Sequence, residues 1–592
     1  MNGVPQFLPF DDLYHAKRIV YSAAHPFRVL SFDSNRGTNG AFCPWPPLYD
    51  MLAGAVARGL GGNTPIAALN RAAWFPPIVA SLVAAVIAAW MTRRFSFATG
   101  LLAGVGVALS IYYLDKSRLA AIDHHFLEFP LALAILAATV FAGGSDEKSV
   151  FRRGAMLAAA LVFSLLVQPA LLVAAGASLL GILALERSRL MARAAGGVGF
   201  ALASAALLVY RVLQPPGYPE NQWYLGTPHA AALLGAAAAC AGELWALEEG
   251  LVVWRSAVIA LPIGILTIIA IPNAASAILG GSEFFAGDAW FRSISEFQPL
   301  FTGSESVWLL DFCLLGGGAL LVIVMVLDPR WRRGLRRPVT VFAVCFLLAA
   351  LSSMRFLSVA APLLAVCGAL VFCDVWQSGR RRLAIAAAAL LVLPSTLSLG
   401  RAVRPTPTIK PEGLPVVRAV TALAQPTAPP GRVLARGTWG HLINVVANRP
   451  ALLDNFGLMD SRTRFENAAG ILLVSREKAI ADFCYWNGIR FVLLENPRPY
   501  SATDAELGGL PRNAFERRIG TNFVPTRRMK ATFWWRAYFE GGEKRPDLGS
   551  AGEAFRSFRL VAVEKDKSPE AATWAVQIWE FVGRPGSTGR TN

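Results

Sequence analysis

The sequence is poor in charged residues and has no paired cysteines. Asp, Glu, Lys and Arg make up 16% of its 592 residues, whereas hydrophobic residues make up 54%. So small a share of charge in a chain of this length excludes an ordinary soluble protein and indicates an integral membrane protein. The seven Cys residues are scattered without a CxxC pair, which argues against both a disulfide framework and a zinc site.

No cleavable signal peptide is visible in the sequence, and we expect no nucleic-acid-binding surface. The N-terminus, MNGVPQFLPFDDLYHAKR, is polar and acidic instead of basic and then apolar. The net charge of +17 comes mainly from Arg residues in short clusters between apolar runs, where cytoplasmic loops of membrane proteins carry them. We therefore expect the membrane, and no nucleic acid, to be the partner of these basic residues.

Long apolar runs predict a multi-span α-helical membrane protein. Ten runs lie between about residues 73 and 398, and two of them, 155–185 and 339–374, are long enough for two spans each, because roughly 20 residues cross a bilayer. This gives about twelve transmembrane helices. If the basic clusters face the cytoplasm, the acidic loops and everything after about residue 400 face the extracytoplasmic side.

The composition predicts three parts. Residues 1–72 form a first outer loop with an acidic stretch and an interfacial helix, 73–400 form the transmembrane bundle, and 401–592 form an extracytoplasmic C-terminal domain. A Pro-rich linker opens the last part. The segments RVLARG, PALLDN and IRFVLLEN have the pattern of short strands, and SREKAIADFCYWNG has that of a helix. We expect a mixed α/β soluble domain there.

Three predicted outer loops contain ionisable residues that suit a divalent cation. These are Asp11, Asp12 and His15 in FDDLYHAKR, Asp123, His124, His125 and Glu128 in AIDHHFLEF, and Glu296 in RSISEFQPLF. Hard cations such as Mg²⁺ or Mn²⁺ prefer carboxylate oxygens, and Mn²⁺ also accepts His nitrogen. A helix cap or a solvated loop charge is the alternative explanation for each acidic residue taken alone.

Arg355 lies between two apolar runs, in the stretch SSMRF. An Arg at membrane depth is costly without an anionic partner, which makes it a functional candidate. Its planar guanidinium suits phosphate or pyrophosphate. The alternative is a snorkelling Arg that reaches the lipid headgroups.

These motifs resemble those of the catalytic subunit of oligosaccharyltransferase in its single-subunit bacterial and archaeal forms, which are membrane glycosyltransferases of the GT-C type. FDDLYHAKR is similar to the first acidic motif of that family, DHHFLE to the second, SISEFQP to its outer-loop Glu motif and MRF to its donor-site Arg motif. The resemblance implies a divalent cation, Mg²⁺ or Mn²⁺, a lipid-linked glycan donor and a protein or peptide acceptor. The implied residues are Asp11, Asp123 and His125 as metal ligands, Asp11 and Glu296 as catalytic residues, and Arg355 as the residue that binds the donor pyrophosphate.

The stretch VLARGTWGHLINVVANRPALLDNFG resembles the signature region of the family, usually WWDYG, a helix and then N-R-x-x-x-x-D-N. ANRPALLDN is retained, but RGTWG, residues 436–440, stands where WWDYG is usual. In the family the Trp-Trp-Asp trio receives the Ser or Thr hydroxyl two residues after the acceptor Asn, and a site discriminates for a hydroxyl only while its partners exist. The candidate acceptor-binding residues are Thr438, Trp439 and His441.

The resemblance implies transfer of a glycan from a polyprenyl-pyrophosphate carrier to a protein acceptor, with an Asn side chain expected, on the extracytoplasmic face of a bacterial inner membrane. The alternatives are a GT-C transferase that uses a polyprenyl-monophosphate sugar and a lipid or hydroxyl acceptor, a transporter, and a non-catalytic family member. Family members carry one helix before the first acidic motif, so we expect the true start to lie upstream and to add a helix.

Overall fold

The structure, a computed structural model, divides the chain into two compact units. The first, here called the membrane unit, comprises Met1–Pro5, Ser22–Val29 and Pro44–Pro405. The second, the sheet unit, comprises Gln6–Tyr21, Leu30–Cys43 and Thr406–Asn592. The residues that the structure describes are 11–144, 149–186, 189–271, 274–275, 297, 320–331, 333–334, 336–402, 414–459, 462–519, 522–542, 554–565 and 575–583.

Helices dominate the chain up to residue 402. Their bounds are α1 Asp11–Ala24, α2 Leu48–Gly59, α3 Pro65–Ala72, α4 Phe75–Arg94, α5 Phe97–Ala108, α6 Ile111–Lys116, α7 Glu128–Ala142, α8 Val150–Val167, α9 Leu172–Leu183, α10 Leu190–Val212, α11 Thr227–Glu248, α12 Val253–Ile269, α13 Arg336–Ser352, α14 Leu357–Gln377 and α15 Arg381–Ala402. Short 3₁₀ segments at His124–Leu127, Pro169–Leu171 and Met354–Phe356 each lead into one of these helices.

Six helical stretches among the described residues are long and apolar enough to cross a membrane. They are Pro65–Arg94, His124–Ala142, Val150–Val167, Leu190–Val212, Thr227–Glu248 and Met354–Gln377. The protein is therefore a multi-pass helical membrane protein, and the count of about twelve spans stays a prediction. Both runs expected to hold two spans are broken, the first where Pro169 removes a backbone N–H and the second at Met354–Phe356.

Two of these stretches differ sharply in burial. In Pro65–Arg94 only 22% of the apolar window is buried, whereas in Met354–Gln377 the share is 83%. The exposed face of α4 carries large apolar side chains every fourth residue, a spacing that places them on one side of a helix. They are Ile78, Leu82, Val86 and Trp90, with Trp74 at the N-cap in line with them, and each is more than half exposed. This stripe suits contact with lipid, and α14 forms the interior of the unit.

Helices α11 and α12 approach each other through two glycines. A Cβ atom added to Gly235 would lie 2.8 Å from the carbonyl oxygen of Gly264, and one added to Gly264 would lie 2.7 Å from that of Gly235. Real Cβ atoms do not come this close to a carbonyl, so both positions need glycine. Small residues at such crossings allow helix backbones to pack closely where lipid provides no hydrophobic driving force.

A buried ion pair connects α10 to α11 inside the membrane unit. Arg193 Nε lies 3.2 Å from Glu243 Oε2, and neither side chain is exposed. Arg193 Nη2 also donates to the carbonyl oxygen of Leu185 at 2.5 Å, just beyond the end of α9. The guanidinium therefore satisfies both a carboxylate and a backbone carbonyl that the helix end leaves without a partner.

The strands of the sheet unit are β1 Phe32–Asp33, β2 Ala41–Phe42, β3 Arg432–Leu434, β4 Ile489–Leu494, β5 Glu516–Ile519, β6 Asn522–Pro525, β7 Phe558–Lys565 and β8 Ala575–Phe581. Four of them form a mixed sheet in the order β3–β4–β8–β7. Strand β3 is parallel to β4, and the other neighbours are antiparallel. The longer helices of this unit are α16 Pro415–Leu423, α17 Arg462–Gly470, α18 Glu477–Trp486, α19 Ser501–Leu507, α20 Arg527–Lys530 and α21 Phe533–Glu540.

One side of this sheet is covered by α16. Val420 of α16, Val433 of β3 and Phe491 of β4 belong to one buried apolar cluster. The strands predicted in RVLARG and IRFVLLEN and the helix predicted in SREKAIADFCYWNG are confirmed. The strand predicted in PALLDN is wrong, because Ala451 forms only isolated bridges. Pro450 has no N–H to donate, and the Ala451 N–H also donates to the side-chain oxygen of Asn444.

Candidate functional site

The second acidic motif forms a compact cluster at the start of α7. Asp123 Oδ2 lies 3.1 Å from His125 Nε2, and Asp123 Oδ1 lies 3.0 Å from His124 Nδ1. His125 Nδ1 in turn lies 2.7 Å from Glu128 Oε1. Both His residues and Glu128 are buried, while Asp123 is partly exposed. The 3₁₀ turn His124–Leu127 gathers these side chains, because it is tighter than an α-helical turn.

Arg355 joins the same cluster from the 3₁₀ segment before α14. Its Nη2 donates to Glu128 Oε1 at 3.3 Å, and its side chain is only 11% exposed. The guanidinium also lies 5.5 Å from the centre of the Phe297 ring. Arg355 therefore has an anionic partner within the membrane unit, as an Arg at membrane depth requires.

Gln168 is a member of the cluster that the sequence analysis missed. Its Nε2 donates to Glu128 Oε1 at 3.2 Å and also contacts His124 Nε2. Its Oε1 accepts a hydrogen bond from the Ala170 N–H at the start of the 3₁₀ segment. The sequence does contain a signal for Gln168, since it is a polar residue next to a Pro in the middle of a long apolar run. Polar residues within membrane spans are usually functional.

Helix α2 and the turn before it contact the backbone and one His ring of the cluster. The Tyr49 hydroxyl donates to the carbonyl oxygen of Ile122 at 2.5 Å, directly before Asp123. The Trp45 ring lies 5.8 Å from the His124 ring. Residues 44–50, PWPPLYD, thus fix the backbone that carries the second acidic motif.

The donor atoms of this cluster fit a divalent cation. Two neighbouring ligands of one octahedral ion, each about 2.1 Å from it, lie about 3 Å apart, and Asp123 Oδ2 and His125 Nε2 are 3.1 Å apart. His124, His125 and Glu128 also offer ligand atoms that all lie within 4.8 Å of one another. A mixed oxygen and nitrogen set suits Mn²⁺ and Zn²⁺, and its carboxylates suit Mg²⁺.

Asp11 of the first acidic motif belongs to the sheet unit. It begins α1 and is about one-third exposed, and its Oδ1 lies 3.7 Å from His441 Nε2. Asp123 and His125 belong to the membrane unit, so a shared role with Asp11 as metal ligands stays a prediction. Glu296 lies outside the described residues, and its catalytic role likewise stays a prediction.

The three candidate acceptor-binding residues have different surroundings. Thr438 is exposed, Trp439 is half-buried, and His441 is fully buried. The His441 ring stacks on the Tyr14 ring with 4.7 Å between centres, and it contacts the edge of Phe456. Burial lowers the pKa of His441 to about 3, so this imidazole is neutral near pH 7. Of the three, Thr438 is the side chain most open to an acceptor.

The residues that replace the usual signature bind one another through a polar network. Arg436 donates two hydrogen bonds to Asp504, at 2.9 and 3.1 Å, and its guanidinium lies 3.8 Å from the centre of the Tyr500 ring. The Trp439 indole N–H donates to Glu495 Oε2 at 2.6 Å. Burial raises the pKa of Glu495. Arg436 and Trp439 thus stabilise the turn itself.

The ANRPALLDN stretch holds that turn in place. Arg449 donates to the carbonyl oxygens of Leu423 and Ala428 at 2.7 and 2.9 Å. Asp454 accepts a hydrogen bond from Arg36 Nε at 2.7 Å. Gly440 packs directly against this stretch, since a Cβ there would lie 2.1 Å from the Leu453 carbonyl oxygen.

Replacing Gly440 with Ala is expected to destabilise the sheet unit. The added methyl group must displace the backbone at Leu453 and Asp454, and overpacking of this kind costs about 1–3 kcal/mol. The measurement is thermal unfolding of the full chain. Gly470→Ala is the matched control, because the nearest atom to a Cβ there is 3.5 Å away. Equal melting temperatures for the two variants would contradict the expectation.

Comparison with known proteins gives one family match. A profile of the family described as "Oligosaccharyl transferase STT3, N-terminal" matches residues 2–208, which include both acidic motifs. The first third of the chain is thus similar to the N-terminal part of an oligosaccharyltransferase family, as the motifs predict. A search of curated proteins gives no match.

Solved oligosaccharyltransferase structures share the fold of this chain over nearly its whole length. The archaeal oligosaccharyltransferase AglB from Archaeoglobus fulgidus, in complex with an inhibitory peptide and a dolichol-phosphate, is 15% identical, with a TM-score of 0.76 over 95% of this chain and 76% of that one. The Archaeoglobus fulgidus enzyme in complex with Zn and sulfate is 15% identical, with a TM-score of 0.67 over 95% and 76%. The same enzyme tethered to an acceptor peptide containing the NVT sequon is 14% identical, with a TM-score of 0.70 over 93% and 75%.

Proposed function

We propose that the protein transfers a glycan from a polyprenyl-pyrophosphate carrier to a protein acceptor, with an Asn side chain expected, in a reaction that needs a divalent cation. The reaction takes place on the extracytoplasmic face of a bacterial inner membrane. The observation that carries the proposal is the cluster of Asp123, His125, Glu128 and Arg355, which places a pair of metal-ligand atoms beside a largely buried guanidinium. The match of residues 2–208 to the STT3 oligosaccharyltransferase family supports the reaction class.

On the donor side, Asp123 and His125 would hold the cation, Mg²⁺ or Mn²⁺, and the family resemblance adds Asp11 as a further ligand. The bound cation supplies Lewis-acid stabilisation of charge on the departing pyrophosphate. Arg355 binds the pyrophosphate oxygens. A guanidinium carries five N–H donors, so Arg355 can contact phosphate while it donates to Glu128.

On the acceptor side, Asp11 and Glu296 orient the nucleophile. Their carboxylates accept hydrogen bonds from the acceptor amide N–H and take up the proton that the nitrogen loses. The bond from the anomeric carbon to the new nitrogen forms, and the bond to the pyrophosphate oxygen breaks. Pyrophosphate remains on the lipid as the leaving group.

The solved relatives support the classes of ligand in this proposal. Archaeoglobus fulgidus structures include a dolichol-phosphate with an inhibitory peptide, Zn with sulfate, and an acceptor peptide containing the NVT sequon. By analogy we assign this chain a polyprenyl-linked donor, a divalent cation and a peptide acceptor.

The test is a transfer assay with the purified full chain, a lipid-linked glycan and a panel of peptides. We expect transfer to both Asn-x-Thr and Asn-x-Ala peptides, with rates that differ by less than about tenfold. A site that hydrogen-bonds a hydroxyl would discriminate by about 10⁴-fold. Here the turn at residues 436–440 lacks the usual Trp-Trp-Asp trio, and Arg436 and Trp439 are engaged by Asp504 and Glu495.

EDTA should abolish transfer, and added Mn²⁺ or Mg²⁺ should restore it. A Gln-x-Thr peptide is the control for the acceptor atom. Transfer to Ser peptides that lack Asn would favour the hydroxyl-acceptor alternative. No transfer to any peptide would contradict the proposed function.

A further inference from the structure

Glu128 is the point where three polar side chains of the membrane unit meet. It is the first residue of α7 and only 3% exposed. Its Oε1 lies 2.7 Å from His125 Nδ1, 3.2 Å from Gln168 Nε2 and 3.3 Å from Arg355 Nη2. The three side chains lie in or next to the three 3₁₀ segments that interrupt the apolar helices. One carboxylate oxygen therefore connects all three segments.

The contact with Glu128 determines how His125 presents its other nitrogen. An ionised carboxylate only accepts hydrogen bonds, so His125 Nδ1 carries the proton that faces Glu128. In the neutral imidazole Nε2 then has a lone pair, and it faces Asp123 Oδ2 at 3.1 Å. Asp123 Oδ2 and His125 Nε2 are thus placed so that both can bind one cation. A carboxylate that holds the far N–H of a His ligand commonly orients such sites.

The contact with Arg355 involves the same oxygen. Arg355 is 11% exposed and Glu128 is 4% exposed, so solvent screens their attraction little. Removing the negative charge of Glu128 would weaken the hold on both the imidazole and the guanidinium. The positions of His125, which faces the cation, and of Arg355, which faces the donor phosphate, therefore both depend on Glu128.

We propose that Glu128 is a positioning residue that holds His125 for the cation and Arg355 for the donor phosphate with a single carboxylate oxygen. This inference rests on the proposed function, since that function gives Arg355 its phosphate ligand. Glu128 itself acts through these two side chains, and Gln168 supports it by donating a further hydrogen bond.

The test measures Mn²⁺ binding by electron paramagnetic resonance on the full chain, and the KM for the lipid-linked donor at saturating Mn²⁺. We expect Glu128→Gln to weaken Mn²⁺ binding by about 10- to 100-fold, as loss of such an outer partner usually does, and also to raise the donor KM. Glu243→Gln is the matched control. It removes the carboxylate of another buried Arg pair in the same unit and should leave both quantities within about twofold of the parent.

Gln168→Leu provides a second variant that keeps the charge of Glu128. Loss of the hydrogen bond to Glu128 is expected to weaken Mn²⁺ binding by about three- to tenfold. If Glu128→Gln does not fold and Gln168→Leu binds Mn²⁺ like the parent, the inference is wrong. It is also wrong if folded Glu128→Gln keeps the parent affinity, or if the parent binds no Mn²⁺. A parent that binds Mn²⁺ but transfers no glycan contradicts the proposed function instead.

Discussion

Replacing Asp123 with Asn is expected to reduce glycan transfer by about a thousandfold. The substitution keeps the shape of the side chain but removes the charged oxygen that lies 3.1 Å from His125 Nε2. Lewis-acid stabilisation by a bound cation contributes several kcal/mol, and each 1.36 kcal/mol corresponds to a factor of ten in rate. The measurement is the initial rate of transfer at a series of Mn²⁺ concentrations.

Asp115→Asn is the matched control for this experiment. Asp115 is an exposed residue of α6 that pairs with Arg118 at 3.2 Å, so the same chemical change there should leave the rate unaltered. If Asp123→Asn keeps more than a tenth of the parent rate at low Mn²⁺, Asp123 is not a ligand of the catalytic cation.

Replacing Arg36 with Met should destabilise the sheet unit by about 3–5 kcal/mol, the usual cost of removing one partner of a buried pair. Arg36 is completely buried, and its Nε lies 2.7 Å from Asp454 Oδ2. Its guanidinium also lies 4.1 Å from the centre of the Phe456 ring, and its Nη1 donates to the Phe42 carbonyl oxygen. The variant leaves the Asp454 carboxylate buried without its cation. Chemical denaturation of the full chain measures the loss.

The same pair predicts how stability depends on pH. Burial raises the pKa of Asp454, but the charge and hydrogen bond of Arg36, together with a backbone hydrogen bond from Phe456, lower it more, so the pKa lies below the ordinary value. A depressed carboxyl pKa stabilises the folded state above the unfolded pKa, about 3.9 for Asp. That stabilisation is lost as the pH falls through the folded pKa. We expect the pair to contribute a constant amount from pH 7 to about pH 5 and progressively less at lower pH.

Arg462→Met is the control for Arg36→Met. Arg462 pairs with Glu466 at 3.4 Å on the surface of α17, where both side chains are exposed, so its loss should cost about 0.5 kcal/mol or less. A comparable loss of stability in both variants would contradict a special role for the buried pair. The double variant Arg36→Met with Asp454→Leu should recover part of the loss, because it removes the uncompensated charge.

The sequence predicts the local parts of the candidate site better than its long-range connections. Asp123 and His125 are two residues apart, so one short turn is enough to bring them together. Arg355 stands out because apolar runs flank it, but its partner Glu128 is 227 residues away. No periodicity links the two, since the contact depends on how α7 and α14 pack.

The same reason explains what the sequence analysis missed in the sheet unit. RGTWG departs visibly from the usual signature, yet the partner of Arg436, Asp504, lies 68 residues further along the chain. The strand predicted in PALLDN failed for a local reason, because Pro450 and the Asn444 side chain compete with strand pairing. Hydrophobic patterns report which face is buried, and they do not report which polar groups meet there.

The three 3₁₀ segments at His124–Leu127, Pro169–Leu171 and Met354–Phe356 make the cluster sensitive to helix length. Inserting one residue into α8 before Gln168 would rotate that side chain by about 100° and shift it by about 1.5 Å along the helix axis. Gln168 would then no longer face Glu128. Some helices end or begin at these breaks. We therefore expect the protein to tolerate insertions and deletions within these helices much less than insertions in the connecting loops. For anyone who engineers this enzyme, the loops are the places to add sequence.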